Sequence, residues 1–166
     1  PTIGSFLGLA SPHVSGLMAH AGFDWLVIET EHNSMNLSEV EHCIMAMSGT
    51  HTVPLVRVPH NDMNFIQRAL DLGARGIVAP MIRTAQDAEQ IVNITRYPPV
   101  GNRGFGPLRA PHYTLHNPEY FEEINDNIIV AFILETKEAV DNLEEIAQVP
   151  GVDAFVMGQC DLSLSY

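Results

Sequence analysis

The chain is poor in basic residues and in cysteine, and it contains no long apolar run. Lysine and arginine together number 8 against 20 aspartates and glutamates, which gives a formal net charge of −12. Because phosphate contacts need clustered basic side chains, this deficit argues against a nucleic-acid partner. No apolar run approaches the roughly 20 residues that cross a bilayer, so we expect no membrane partner. Two cysteines cannot build a disulfide framework, and the expected location is therefore cytoplasmic.

Two motifs of nucleotide-binding proteins are also missing. No Gly-x-Gly-x-x-Gly follows the first predicted strand, which removes the main reason to expect a dinucleotide-binding fold. The glycine-rich stretch at residues 103–109 lacks the Lys-Ser/Thr of a phosphate-binding loop, so loop flexibility or a subunit contact is the better interpretation. The chain has a single lysine, Lys137, which falls at a predicted helix start. A Schiff-base mechanism is therefore not indicated.

What the chain does have is a regular alternation of strand-like and helical apolar patterns. The strands are predicted at residues 3–9, 25–29, 53–58, 76–80, 128–134 and 152–157. Helical patterns separate them, with one short helix near 118–125 inside a proline-rich loop and a last helix on residues 139–146. This order predicts an α/β fold with a parallel sheet, either an open doubly wound sheet or a closed (β/α)8 TIM barrel.

We favour the barrel, because polar residues stand at successive strand ends, as barrel enzymes require. About six βα units are present, whereas a whole barrel usually needs about 200 to 250 residues. We therefore expect residues 1–166 to form a single barrel domain that is incomplete at its C-terminus. Two further βα units are expected beyond Tyr166.

The strand ends carry the residues with catalytic chemistry. Glu29 ends the second strand and is followed by Glu31 and His32, and Arg57 ends the third. Because the carboxyl ends of parallel strands lie on one face, these side chains are expected to converge. A carboxylate near His32 would fix its tautomer and raise its basicity. An unpaired guanidinium after an apolar strand is costly, so Arg57 is expected either to bind oxygens of a substrate or to pair with Glu31.

Two further carboxylates, Glu135 and Asp161, follow the fifth and sixth strands. Hard oxygen ligands with no Cys or His cluster nearby suit Mg²⁺, Mn²⁺ or a similar ion such as Co²⁺, completed by water and substrate oxygens. The structural alternative is that Glu135 caps the following helix and Asp161 caps a turn. The pairing of the two at neighbouring strand ends favours metal binding.

Six segments together resemble the HpcH/HpaI aldolases, in order and with matching spacing over essentially the whole chain. This family includes aldolases of dihydroxyheptenedioate and of 2-keto-3-deoxy sugar acids, and macrophomate synthase. The segments are GFDWLVIETEH (22–32), PLVRVPHND (54–62), ALDLGARGIVAPM (69–81), RYPPVGNRG (96–104), ETKE (135–138) and GQCDLS (158–163).

The resemblance implies roles for particular residues. His32 would be the general acid or base that moves the proton of a substrate 4-hydroxyl, with Glu29 as its acidic partner, although the family usually has Asp there. Arg57 would bind the 2-oxo acid, and the backbone at Gly158 and Cys160 would line the pocket. The family typically assembles as a homo-oligomer, a trimer or a hexamer.

The resulting hypothesis is a metal-dependent (class II) aldolase that cleaves or forms 4-hydroxy-2-oxo acids, with pyruvate and an aldehyde as its small-molecule partners. One alternative keeps the barrel and the metal but decarboxylates oxaloacetate with capture of the enolate, or acts as a lyase on a CoA thioester. Another alternative is a non-catalytic barrel subunit or fragment.

Overall fold

The computed structural model describes residues 1–166, which form a curled, half-barrel sheet of six parallel strands with helices packed outside it. The strands pair in sequence order, from β1 to β6, so each neighbours the next in the chain. They are β1 (Gly4–Leu7), β2 (Trp25–Glu29), β3 (Val53–Arg57), β4 (Gly76–Ala79), β5 (Ile129–Leu134) and β6 (Ala154–Met157). This arrangement confirms the predicted partial TIM barrel.

Eight helices connect and follow the strands. They are α1 (Pro12–His20), α2 (Leu37–Ala46), α3 (Met63–Asp71), α4 (Ala85–Thr95), α5 (Asn117–Glu123), α6 (Lys137–Asp141), α7 (Leu143–Ala147) and α8 (Gln159–Leu164). No helix combines the length and the apolar character that crossing a membrane requires.

Side chains of the strands alternate between two apolar layers. Residues facing outward, such as Leu26, Ile28 and Val56, join the large core beneath the helices. The intervening residues face the concave side and form a second cluster, made of Val27, Leu55, Val78, Ala131 and Ile133. Because successive strand side chains point to opposite faces, the next inward positions after this cluster are Glu29, Arg57 and Glu135.

Side-chain caps fix where several helices begin. Asn36 and Thr84 each form a reciprocal capping box with the acidic residue three positions later. Asp62 accepts a hydrogen bond from the backbone N–H of Phe65 and caps α3. Such caps satisfy backbone donors that the first helical turn leaves free, so the start of each helix is set locally.

Two elements differ from the sequence prediction. The single helix expected on 139–146 is divided into α6 and α7, because Asn142 leaves helical geometry (φ −100°, ψ 10°) and its side chain donates to the carbonyl of Arg83 at 2.9 Å. The segment after β6 forms the unpredicted helix α8. Asp161 consequently lies in the first turn of that helix rather than directly at a strand end.

Candidate active site

A layer of charged side chains lies on the concave apolar cluster, at the carboxyl ends of β2, β3 and β5. Glu29 and Arg57 are direct partners in the register of β2 and β3. The side chain of Arg57 is only 12% exposed, and Glu135 is 4% exposed. Charges held this far from water require partners, and the layer supplies them.

Arg57 is the centre of this layer and contacts three carboxylates. Its Nη1 donates to Glu29 Oε2 at 3.0 Å, and its Nη2 forms an ion pair with Glu31. Nη2 also lies 3.9 Å from Glu135 Oε2. The Arg57–Glu31 pair that the sequence suggested is therefore present. The buried Nε–H of Arg57 has no hydrogen-bond partner within the chain.

Glu31 links Arg57 to His32. Its Oε2 lies 3.4 Å from Nε2 of the His32 ring, and Arg57 Nη2 is 3.5 Å from the same nitrogen. Burial raises the pKa of the Glu31 carboxyl above its ordinary value, and the charges of Arg57 and His32 partly oppose that rise. The imidazole itself is 64% exposed, so a solute can reach it.

Glu29 contacts the backbone of the His32 turn and not the imidazole ring. Its Oε1 accepts hydrogen bonds from the backbone N–H groups of Glu31 at 2.7 Å and of His32 at 3.2 Å. The glutamate side chain is long enough to fold back onto this turn while its second oxygen holds Arg57. In this arrangement the carboxylate that neighbours the imidazole is that of Glu31.

Glu135 is held in place by backbone from the end of β4. Its Oε1 accepts a hydrogen bond of 2.6 Å from the backbone N–H of Met81, a residue with a left-handed φ of 56°. Gly158, which lies between β6 and α8, packs against it, since a Cβ added there would lie 2.8 Å from the Cβ of Glu135. Sequence reasoning missed Met81 because its contribution is a main-chain donor, which no side-chain pattern reveals.

The two residues predicted on the last segment, Cys160 and Asp161, are exposed at the start of α8. The Asp161 side chain makes no hydrogen bond or ion pair within the chain. The structure contains no cluster of three or more His, Cys, Asp or Glu side chains that is arranged to hold a metal. The donors that are present, the carboxylates of Glu135 and Asp161, are hard oxygen ligands of the kind that Mg²⁺ and Mn²⁺ take, with water and substrate oxygens completing the shell.

The structure thus brings together five of the residues marked by the sequence, which are Glu29, Glu31, His32, Arg57 and Glu135. Gly158 adjoins this group through Glu135. Cys160 and Asp161 follow Gly158 on α8, and no hydrogen bond or ion pair joins their side chains to the group. The arrangement offers a carboxylate-linked histidine, an arginine with a free donor and a buried carboxylate on one face.

Comparisons with known proteins agree in family and fold. A sequence model described as HpcH/HpaI aldolase/citrate lyase matches residues 2–166. Over 99% of its length the chain is 40% identical to a hydroxypyruvate/pyruvate aldolase of Deinococcus radiodurans, of which it covers 60%. It is also 40% identical, over 98% of its length, to a 4-hydroxy-2-oxo-heptane-1,7-dioate aldolase of Shigella sonnei, of which it covers 63%. The chain thus spans about three-fifths of the length of these curated relatives.

Solved structures give the same result. A HpcH/HpaI aldolase/citrate lyase family protein of Burkholderia cenocepacia superimposes with a TM-score of 0.93 at 36% identity, over 99% of this chain and 66% of that one. Macrophomate synthase superimposes with a TM-score of 0.88 at 27% identity, over 99% of this chain and 58% of that one. The match in sequence extends over nearly every residue of the chain, and the match in structure does the same. The chain belongs to the HpcH/HpaI aldolase/citrate lyase family.

Proposed function

We propose that the protein is a metal-dependent aldolase that cleaves, or in reverse forms, 4-hydroxy-2-oxo acids, giving pyruvate or a close relative and an aldehyde. The observation that carries the proposal is the charged layer in which Arg57, with an unpartnered Nε–H, stands beside Glu135 and the Glu31–His32 pair. The names of relatives at about 40% identity support an aldolase over the decarboxylase and CoA-thioester alternatives.

Arg57 is the proposed binding group for the 2-oxo acid. Its guanidinium directs its N–H groups in a rigid fork that suits carboxylate oxygens. Glu29 and Glu31 each hold one nitrogen, which fixes the plane of the fork. Of its five N–H groups, the remaining three are proposed to serve the oxygens of the substrate, and the backbone at Gly158 and Cys160 is proposed to form the adjacent wall.

His32 is the proposed proton carrier, acting on the 4-hydroxyl of the substrate during cleavage. Its exposed ring meets solvent on one side, while Nε2 lies beside the Glu31 carboxylate. That carboxylate stabilises the imidazolium that forms when the ring takes up the proton. We assign to Glu29 a supporting role, since it orders the turn that carries His32 and one nitrogen of Arg57.

Glu135 and Asp161 are the residues proposed to hold a divalent ion, with Mg²⁺, Mn²⁺ or Co²⁺ as candidates. When bound, such an ion supplies positive charge to the oxygens of the 2-oxo acid and so stabilises the negative charge that develops as the carbon–carbon bond breaks. Met81 and Gly158 keep Glu135 in one position, which favours a defined site. The assembly proposed from the family is a homo-oligomer, a trimer or a hexamer, and the proposed location is cytoplasmic, with both cysteines free.

Exchange of the methyl protons of pyruvate with deuterium, followed by NMR, tests the proposal without knowledge of the aldehyde. We expect exchange that requires Mn²⁺ or Mg²⁺ and stops when a chelator is added. Asp161→Asn should abolish it, whereas Asp126→Asn, the same change at an exposed aspartate whose side chain has no hydrogen bond or ion pair, should leave it unchanged. Exchange that survives both the chelator and Asp161→Asn would refute the metal-dependent mechanism.

A further inference from the structure

A cavity lies at the opposite end of the strands from the charged layer. It has a volume of about 580 Å³, within the range of small-molecule sites. The C-terminal end of α2, the starts of β3 and β4 and the loop after Leu108 enclose it, and we call it the rear pocket. Its lining includes Ser48, Thr52, Gly73, Arg75, Arg109 and His112.

The rear pocket is separate from the candidate active site. Thr52 lines it immediately before β3, and Arg57 ends the same strand five residues later. At about 3.3 Å per residue the two ends are roughly 16 Å apart. The pocket also lies between β3 and β4, in the middle of the strand order and away from the edge strands β1 and β6.

The charge of the lining is opposite to that of the chain. The whole protein has a net charge of −12, yet no aspartate or glutamate is among the seventeen residues around the rear pocket. Two of the seven arginines, Arg75 and Arg109, do line the pocket, together with His112. A concave site with one sign of charge concentrates ions of the other sign, and here that sign selects anions.

Arg109 is built into the pocket wall. Its Nη1 donates to the carbonyl of Leu72 at 2.9 Å and its Nη2 to the hydroxyl of Ser48 at 3.1 Å. The absence of a side chain at Gly73 makes this possible, since a Cβ there would lie 2.5 Å from Nη1. Both partners are neutral, so the guanidinium is fixed in position and has no carboxylate as counterion.

Arg75 adds a second charge that the fold does not use. Its backbone N–H donates to the carbonyl of Pro54 at 2.8 Å, but its exposed side chain has no hydrogen bond or ion pair. The bond from Arg109 to the carbonyl of Leu72 caps the C-terminal end of α3, which is a structural role. That structural role accounts for neither Arg75 nor the cavity.

We propose that the rear pocket binds a small anion with carboxylate or phosphate groups, held by Arg109 and Arg75. Arginine forks match the planar oxygens of both groups, and each such charge-assisted contact is stronger than a neutral one. Arg109 has N–H donors left after its two bonds, and Arg75 has all of its side-chain donors. The site is independent of the proposed aldolase activity.

Calorimetric titration at constant ionic strength, with inorganic phosphate in one arm and succinate in the other, tests this proposal. We expect at least one anion to bind, and the arm that responds identifies the group recognised. Arg75→Gln should weaken binding about tenfold or more, which is the size of a lost hydrogen bond to a charged group. Arg109→Gln should weaken it as well, although this variant also loses two bonds within the fold.

Two further variants distinguish binding in the rear pocket from binding elsewhere on the protein. Arg68→Gln removes the same charge from an exposed arginine on α3 that does not line the pocket, and it should bind like the unmodified protein. Arg57→Lys reports anion binding at the charged layer instead, and loss of all anion binding in this variant would also overturn the proposal. The proposal is overturned if neither anion binds, if Arg75→Gln binds like the unmodified protein, or if Arg68→Gln and Arg75→Gln weaken binding equally.

Discussion

At the scale of single residues, the contacts of Glu29 leave another carboxylate beside His32. Glu29 reaches back to the N–H groups of its own turn and forward to Arg57, which leaves the imidazole beside Glu31. The sequence placed Glu29, Glu31 and His32 at the end of one strand and Arg57 at the end of the next, because each apolar strand is a local pattern. It did not determine which glutamate faces the ring, since that depends on the turn conformation and on the position of Arg57 from another strand.

Removal of His32 tests its assignment to proton transfer. His32→Ala should lower kcat for aldol cleavage by about 10² to 10⁴, the usual contribution of a positioned general acid or base. KM should change little, because Arg57 remains held by Glu29 and Glu31. Steady-state kinetics on a panel of 4-hydroxy-2-oxo acids gives both constants. A variant with normal kcat and a strongly raised KM would make His32 a binding residue instead.

At the scale of secondary-structure elements, local signals predicted most of the fold. Each apolar strand is a run of neighbouring residues in the sequence, and all six strands were correctly recognised. The break between α6 and α7 was not recognised, because it depends on a contact from Asn142 to Arg83, 59 residues away. Helix α8 was missed because its short segment follows a strand directly and was interpreted as a strand end.

The capping box of α4 offers a test at this scale. The Thr84 hydroxyl accepts from the backbone N–H of Asp87 at 3.1 Å, and the Asp87 carboxylate accepts from the N–H of Thr84 at 2.9 Å. Thr84→Ala should lower the free energy of unfolding by about 1 kcal/mol. Thr84→Ser keeps the hydroxyl and should retain most of that free energy. Denaturant titration measures the free energy of unfolding of both variants. Equal losses in Thr84→Ala and Thr84→Ser would show that the hydroxyl does not stabilise the helix.

At the scale of the whole molecule, the site exists only when the sheet is folded. Glu29, Arg57 and Glu135 belong to three strands, and the proposed second metal ligand, Asp161, follows a fourth. The unfolded chain does not hold these groups together, so an ion that binds there binds the native state preferentially. Such binding stabilises the native state by RT ln(1 + [L]/Kd), which is about 2.7 kcal/mol when the ion is present at 100 times its Kd.

The last prediction follows from this linkage and needs no substrate. For a chain of this length, 1 kcal/mol shifts Tm by roughly 2–4 °C, so saturating Mn²⁺ should raise Tm by roughly 5–10 °C over the chelated protein. Differential scanning calorimetry measures the shift. Asp161→Asn should lose most of it, because a single remaining carboxylate holds a hard cation weakly. Asp126→Asn has the same charge change elsewhere and should keep the full shift. If Asp161→Asn gained as much from Mn²⁺ as the unmodified protein, the ion would be bound at another site, and Asp161 would serve only to begin α8.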